Sequence, residues 1–592
     1  MTEGFDKEKS GAGKILHFER DSAFYAKRGD AKRAQNDLVS AISMYMEALE
    51  RSPHDYDTRI AAAEILTDMS RFNDSNKLLI PYMHEDEEFC KDAYCIVGFN
   101  MLGMGEYDGA RGCFERFFEL TDEVSERTDA ILDALDYIES LELEQPVLKD
   151  AANVEYESRI LEAIKAFEND DFTRSESILK SLSAEYPQNT DILYRLALSC
   201  LCQNKIRECD EYISELIRMD ENNWSALGMK LMCAKALNNE LEMSRLSKKL
   251  EDCSSMVPED LLRVNGALVE VGCLEGALKA ALKLRKLLPY DTLSNHRLAV
   301  CYMGLKQFSK AADIYGFLLR IDRNDRIARF YRSYCIEAAV KPGRETFLIP
   351  SIVQYQLPFD VIMDDVKKLL DINRIGGAER IVEEWENDDD FSVIVRWAFS
   401  LNEFNITHAM FAVLQLVNDS KAEHIVREVL SDIDIRDSVI NEGLGTLKRM
   451  GAHEPFFAIT GGRLLEGKVN IVDLSELHVP KSYRDIFIRI HKEANDLLNE
   501  EVMSVASSLA ERFIMCSLGS FKPLSKEQSE ALSAAIEFLA CERCNVIVRD
   551  DLLERYGVTE KRLSNAIDRI IKAFVGEADD KGLDTDNGGD DK

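Results

Sequence analysis

Residues Thr292–Ile321 read TLSNHRLAVCYMGLKQFSKAADIYGFLLRI, and this stretch decides the fold. Its apolar residues recur at the three- and four-residue spacing of amphipathic helices. Ala299 and Ala311 are small residues set among larger ones such as Tyr315 and Leu318. Small side chains at these places predict two helices in close contact.

The same pattern repeats with a period of 34 residues. One period before Ala311 lies Ala277, and further periods reach Cys209 and Ser175, with a weaker copy beginning at Trp224. A fixed period of 20–50 residues is typical of repeat architectures, in which each unit buries its apolar face against its neighbours.

Two segments near the N-terminus fit the same template: ISMYMEALERSP (42–53) and GEYDGARGCFERFFEL (105–120). With these, the chain resembles the tetratricopeptide-repeat (TPR) family over roughly residues 22–340. That family has small residues at the eighth and twentieth positions of each repeat and an aromatic residue at the twenty-fourth. The resemblance implies paired antiparallel helices that stack into a superhelix, with a concave groove lined by the first helix of each pair.

We therefore expect an all-α fold, in which a TPR superhelix (an α-solenoid) is followed by irregular helical domains. The pattern departs from the family at 125–155, which breaks the period. The predicted division is a flexible leader at 1–21, a first repeat block at 22–124, an interrupting helical segment at 125–155, a second repeat block at 156–343, a helical domain of unknown family at 344–520 with a short hairpin near 455–475, a helix-turn-helix-like unit at 521–575 and a disordered acidic tail at 576–592.

The family arrangement also implies which residues face the groove. They are arginines and aromatic residues on the first helices of the second block: Tyr194, Arg195, Arg263, His296, Arg297, Phe330, Tyr331 and Tyr334. A guanidinium can hold an acidic group or a C-terminal carboxylate with two hydrogen bonds. The alternative is that these arginines pair with their own acidic neighbours along ordinary helix faces.

A second signal lies in DDLLERYGVTEKRLSNAIDRIIKAF (550–574), which resembles a helix-turn-helix unit with Gly557 at the turn. Its surroundings also resemble the last two helices of a cyclin-type fold. If this unit contacts DNA, the second helix offers Lys561, Arg562, Asn565 and Arg569. Between Arg549 and Lys572, however, six basic residues face five acidic ones, whereas a DNA reader carries a clear basic excess.

The overall composition excludes several classes of protein. The 107 acidic and 73 basic side chains give a net charge of -34, so non-specific binding of the whole molecule to nucleic acid or to anionic membranes is not expected. Fourteen cysteines are scattered without a framework and are interpreted as reduced core thiols. The sequence shows no secretory or membrane-spanning stretch, which leaves the cytoplasm as the expected location.

We find no motif for catalysis, a cofactor or a metal. Cys541 and Cys544 form a lone CxxC pair without the second pair that zinc requires. Gly13-Lys14 lacks the remaining residues of a phosphate-binding loop. The sequence predicts a non-enzymatic scaffold or adaptor that holds a partner protein or peptide in the TPR groove. The alternative is a TPR-based regulator that contacts DNA or the transcription machinery through the C-terminal helix-turn-helix-like segment.

Overall fold

The structure is a computed structural model in which most described residues are helical, which confirms the predicted all-α class. It describes residues 20–121, 126–144, 151–168, 171–341, 354–401, 403–469, 479–494, 497–517, 524–544, 546–549 and 551–581. The leader predicted at 1–21 lies outside these residues except for Arg20 and Asp21. None of the described helices is both long and apolar enough to cross a membrane.

The first part of the chain is a series of helices joined by short turns. They are α1 (Ser22–Arg33), α2 (Leu38–Arg51), α3 (Tyr56–Asp68), α4 (Phe72–Leu79), α5 (Glu87–Met104), α6 (Tyr107–Leu120) and α7 (Glu126–Glu144). Asp21, Asp37, Asp55 and Asp86 each precede a helix, and each side chain accepts a hydrogen bond from a backbone N–H of the first turn. Such caps fix where the helices begin.

The second repeat block follows the same plan over eleven helices. They are α8 (Ala151–Glu168), α9 (Phe172–Glu185), α10 (Thr190–Cys202), α11 (Ile206–Met219), α12 (Trp224–Ala236), α13 (Glu240–Glu251), α14 (Pro258–Glu270), α15 (Leu274–Leu287), α16 (Thr292–Gly304), α17 (Phe308–Ile321) and α18 (Arg326–Val340). Because α8 packs on α9 as the first hairpin, the block begins before residue 156, where the sequence placed its start.

The 34-residue period is visible in the backbone. Asn204, Asn238, Gly272 and Lys306 lie 34 residues apart, and each has a positive φ of 53–78° at the turn between the two helices of a hairpin. A residue in the left-handed backbone conformation ends a helix sharply. Glycine and asparagine adopt this conformation at the lowest cost. The turn geometry therefore confirms the register found in the sequence.

Small residues allow the helices of a hairpin to touch, as the sequence predicted. Ala277 and Ala311 are fully buried. In the first block, a Cβ atom added at Gly98 would lie 2.4 Å from Cε1 of Phe114, so a larger side chain would displace the ring. Gly29 stands against the Tyr45 ring in the same way.

The remainder of the chain forms further helices and one hairpin of strands. They are α19 (Phe359–Asn387, bent at Gly377), α20 (Asp389–Ala398), α21 (Phe404–Val417), α22 (Ser420–Leu430), α23 (Asp437–Met450), β1 (Phe456–Thr460), β2 (Arg463–Gly467), α24 (Lys481–Ala494), α25 (Glu500–Cys516), α26 (Lys526–Arg543), α27 (Leu552–Tyr556) and α28 (Glu560–Lys581). The antiparallel pair β1–β2 lies within the stretch where the sequence predicted a short hairpin.

The segment 354–467 packs back onto the first repeat block, which the sequence did not predict. Phe457 and Ile459 of β1 join the core of α5 and α6. Lys77 on α4 forms a 2.7 Å ion pair with Asp432, which follows α22. Tyr94 on α5 donates a 2.8 Å hydrogen bond to Glu466 of β2.

The two repeat blocks also meet directly. Ile321 at the end of α17 joins the core around Val39 and Ile42 of α2. Beside it, Arg323 lies 2.5 Å from Glu47 and 2.8 Å from Glu50. The first block therefore contacts the end of the second block as well as preceding it in the chain.

The C-terminal boundaries differ from the predicted division. Helices α24 and α25 share one core with α26 and α28, so 479–517 belongs with the helix-turn-helix-like unit rather than with 344–467. The disordered tail was predicted to begin at 576, but α28 continues to Lys581. Extending a helix that is already nucleated costs little, even through polar residues. Residues 582–592 lie outside the described residues.

We expect Gly98→Ala to lower the free energy of unfolding by about 1–3 kcal/mol, because the new methyl group must displace the Phe114 ring. Gly112→Ala is the matched control, since a Cβ atom at this helical glycine meets nothing within 4 Å. It should raise stability by up to about 1 kcal/mol. Urea denaturation of both variants checks this, and equal effects would contradict it.

We expect the fold to lose stability at mildly acidic pH through His84, whose side chain is 9% exposed. Burial, with the nearby Arg427, lowers its pKa to about 4. The unfolded chain gains a proton as the pH falls through about 6.5, whereas the folded one does not until about 4. Over that window the wild type should lose about 1.4 kcal/mol per pH unit relative to His84→Asn. Urea denaturation at several pH values measures the difference, and a pH-independent difference would refute the assignment.

Candidate partner-binding surface

The inner face of the second block is formed by the first helices of its hairpins: α10, α12, α14, α16 and α18. At one register position these helices carry, at intervals of 34 residues, Arg195, Met229, Arg263, Arg297 and Tyr331. The Arg263 guanidinium on α14 lies 4.5 Å from the Tyr194 ring on α10 and donates a 2.9 Å hydrogen bond to Ser225 on α12. Side chains two hairpins apart can meet only on the concave side of a curved array.

Two of the predicted groove residues are buried and have no surface for a ligand. The His296 ring is fully buried, and its Nδ1 lies 2.9 Å from the hydroxyl of Tyr315. Tyr331 is also fully buried and stacks on Tyr315, with 5.4 Å between ring centroids. The prediction that His296 and Tyr331 contact a partner is therefore wrong in this fold, because both form the interface between α16, α17 and α18.

The chain itself covers this end of the inner face. Tyr355 lies 5.1 Å from the His296 ring, and its hydroxyl donates a hydrogen bond to Asp325 at the start of α18. The Tyr331 hydroxyl donates a 2.8 Å bond to the carbonyl of Gln356. Leu357 continues into the core of the following helices. The sequence gave no signal for this, because these contacts join segments that have no common period.

The remaining aromatic candidates are partly buried. Phe330 packs between the core of the second block and the core of α19–α23. Tyr334 contacts the Phe308 ring, with 6.4 Å between centroids. Both therefore help to hold α18 in place, and their predicted contact with a ligand stays a prediction.

The arginines of the inner face differ in how they are paired. Arg195 forms a 2.8 Å ion pair with Asp191 one turn earlier on α10, which matches the alternative interpretation from the sequence. Arg263 is bound by Tyr194 and Ser225, as described above. At Arg297 the Nε and Nη1 atoms are buried without a hydrogen-bond partner. Burial lowers the pKa of Arg297 to about 10.

The predicted DNA-contacting residues lie on α28. Arg562 forms a 2.9 Å ion pair with Glu527 on α26. Arg569 stands 5.9 Å from the Phe513 ring of α25. Lys561 and Asn565 are exposed. Two of the four side chains thus contact their own helical bundle, and a DNA-contacting role stays a prediction.

Sequence reasoning missed the residue that fixes the turn before α28. Glu537 on α26 is fully buried and accepts a 2.7 Å hydrogen bond from the Tyr556 hydroxyl and a 3.1 Å bond from Arg555. These bonds hold α27 against α26. A glutamate inside the otherwise apolar run AAIEFLA (534–540) is the signal that could have indicated such a buried pair.

One cluster could be mistaken for a metal site. Glu176, Cys200 and Glu208 bring potential ligand atoms within 4.8 Å of one another. Burial raises the pKa of Glu176, but hydrogen bonds from Lys180, Lys205 and Gln203 outweigh it and lower the pKa to about 2. Burial also raises the pKa of the Cys200 thiol to about 11, whereas a metal binds the thiolate. We interpret the cluster as an ion-pair network.

The chain is similar to the TPR repeat-containing protein YvcD of Bacillus subtilis (strain 168), with 20% identity over 272 residues. With the 34-residue period of its helical hairpins, this similarity indicates a tetratricopeptide-repeat (TPR) fold. The match covers 45% of this TPR chain and 55% of the relative, so the chain spans little more than half of the relative's length. No protein-family model matches the chain.

Among solved structures, the TPR chain is similar to the TPR2AB-domain:pHSP90 complex of yeast Sti1, with 12% identity, 51% of this chain, 98% of that chain and a TM-score of 0.20. Yeast Tom70 matches with 13% identity, 73% of this chain, 95% of that chain and a TM-score of 0.25. At these TM-scores we draw no conclusion about ligands or overall shape from either structure.

We expect Arg297→Met to raise the free energy of unfolding by about 1–2 kcal/mol, because it removes a partly buried charge that has no partner. Arg195→Met is the control. Its exposed ion pair should be worth less than about 1 kcal/mol. Thermal and urea denaturation of both variants measure this. A loss of stability in Arg297→Met would show that the guanidinium is a structural group.

Proposed function

We propose that this TPR protein is a non-enzymatic scaffold that holds an extended segment of a partner protein on the inner face of its second repeat block. The observation that carries the proposal is the unpaired guanidinium of Arg297. The similarity to a TPR repeat-containing protein supports the fold on which such a face depends.

A partly buried cation without a counter-charge is unfavourable, since burial removes water and supplies no replacement bond. A carboxylate of a bound segment beside the guanidinium would supply the missing counter-charge. A guanidinium can donate two parallel, charge-assisted hydrogen bonds to such a group, each worth about 1.5–3 kcal/mol. The partner would therefore place an acidic side chain or a C-terminal carboxylate at Arg297.

The neighbouring contacts limit where the segment can lie. One hairpin before Arg297, the inner face is crossed by the Arg263–Tyr194 contact. One hairpin after it, the face is covered by residues 354–357. The proposed site is thus short, and it would select a few residues of the partner rather than a long peptide.

The test uses the full chain as bait in three forms: wild type, Arg297→Ala and Arg195→Ala. Proteins captured from a nuclease-treated lysate of the source organism are identified by mass spectrometry, and peptides from them are then titrated in solution. We expect Arg297→Ala to raise the Kd at least about tenfold, or 1.4 kcal/mol, while Arg195→Ala changes it less than about twofold.

Two results would contradict the proposal. Capture of nothing above background by the wild type would argue against a scaffold. Equal affinity of the wild type and Arg297→Ala would be compatible with a scaffold but would rule out Arg297 as its binding site. The cytoplasmic location and the DNA-contacting alternative through α28 are separate hypotheses that this experiment does not address.

A further inference from the structure

The last hairpins of the second block carry the opposite charge to the rest of the molecule. Residues 261–341 hold fourteen lysines and arginines and seven acidic side chains, a net charge of +7 in a chain whose total is -34. Several of these cations pair with carboxylates elsewhere, as Lys279 does with Glu251 and Arg323 with Glu47. Four of the cations that form no ion pair lie together on another surface.

That surface is built around Phe317 on α17. The Arg285 guanidinium of α15 lies 5.2 Å from the centre of its ring, and the Arg320 guanidinium lies 5.7 Å from it. Arg332 of α18 lies across Gly316, with its Nε 3.4 Å from where a Cβ atom would stand. Lys286 is exposed and adjacent to Arg285. We call Arg285, Lys286, Arg320 and Arg332 the outer basic patch.

The outer basic patch is short of counter-charges. Within the described residues, none of its four cations forms an ion pair with a carboxylate. Asp313 is the acidic residue on the same face of α17, one turn before Phe317, and it is exposed. The patch therefore keeps an excess of three positive charges. Leu282, one turn before Lys286 on α15, adds an apolar side chain that is 41% exposed.

This patch is separate from the inner face. Three of its cations belong to α15 and α17, the second helices of their hairpins, whereas Arg297 belongs to a first helix. Stacking on an aromatic ring occupies the flat faces of a guanidinium and leaves its N–H edges free to bind an oxyanion. The two stacked arginines are thus held in place in advance, which lowers the entropy lost on binding.

Carboxylates limit the patch on two sides. On one side, Glu251 of α13 pairs with Lys279 of α15. On the other side, Glu47 and Glu50 of α2 pair with Arg323. A nucleic-acid duplex carries a charge about every 1.7 Å and would continue into these carboxylates. A short run of aspartates or glutamates can end before them.

We propose that the outer basic patch docks a short acidic segment of a partner protein. This goes beyond the proposed function, because it needs neither Arg297 nor the inner face. The acidic side chains bind the guanidinium edges of Arg285, Arg320 and Arg332 and the ammonium of Lys286. Leu282 and the rim of Phe317 contact the aliphatic parts of the segment.

The test is fluorescence anisotropy with the full chain and a labelled hexa-aspartate peptide, first at low ionic strength and then at about 0.15 M salt, where charges are screened beyond about 8 Å. The patch variant is Arg285→Ala/Lys286→Ala/Arg320→Ala. The control variant, Lys248→Ala/Lys526→Ala/Lys572→Ala, removes the same charge from exposed lysines outside the patch. We expect the patch variant to raise the Kd at least about tenfold and the control less than about twofold. Arg297→Ala should not change it.

The single substitution Lys286→Glu keeps both contacts to the Phe317 ring, so it tests the patch without touching the packing. It should also weaken binding severalfold. No binding by the wild type at low salt, an equal loss in the control variant, or a loss in Arg297→Ala would overturn the proposal. Tighter binding of an oligothymidylate than of hexa-aspartate would overturn it in favour of nucleic acid.

Discussion

The close approach of the two helices within each hairpin is the constraint on which the rest of the structure depends. A two-helix unit cannot bury its apolar face alone, so it must stack on neighbours. Gly29 and Gly98 leave room for the aromatic rings of the partner helix, and fully buried alanines do the same in later hairpins. The recurring left-handed turn residue then reverses the chain at the same point of each repeat. Every first helix therefore presents the same register positions to the inner face.

The stacked hairpins are partly covered, because later segments of the chain pack against them. Lys77 and Asp432 form a partly buried ion pair between the first block and the segment that follows the second. Removing one partner would leave the other charge partly buried without its counter-charge, which destabilises the contact. The strand hairpin adds Phe457 and Ile459 to the first block's core. These contacts, with the covering of His296 by Tyr355, leave only part of the inner face accessible.

Paired cations in this molecule hold helices together, whereas unpaired cations mark the two candidate binding surfaces. Many cations have a carboxylate partner: Arg195 has Asp191, and Arg323 has Glu47 and Glu50. In a chain with a net charge of -34, carboxylates are abundant, so a buried cation or a cluster of cations without one is notable. Arg297 on the inner face and the outer basic patch are such places, and they are independent of each other.

The sequence by itself determined the hairpins of the second block, the all-α class and the position of the strand hairpin. Those features follow from periodic burial and turn chemistry, which are local. Only the tertiary structure decided that His296 and Tyr331 are buried, that 479–517 joins the C-terminal bundle, and that Arg297 has no partner. Each of these depends on contacts between residues far apart in the chain. A repeat pattern gives the register of a helix within its hairpin, but it carries no information about a non-repeating segment that packs against the array.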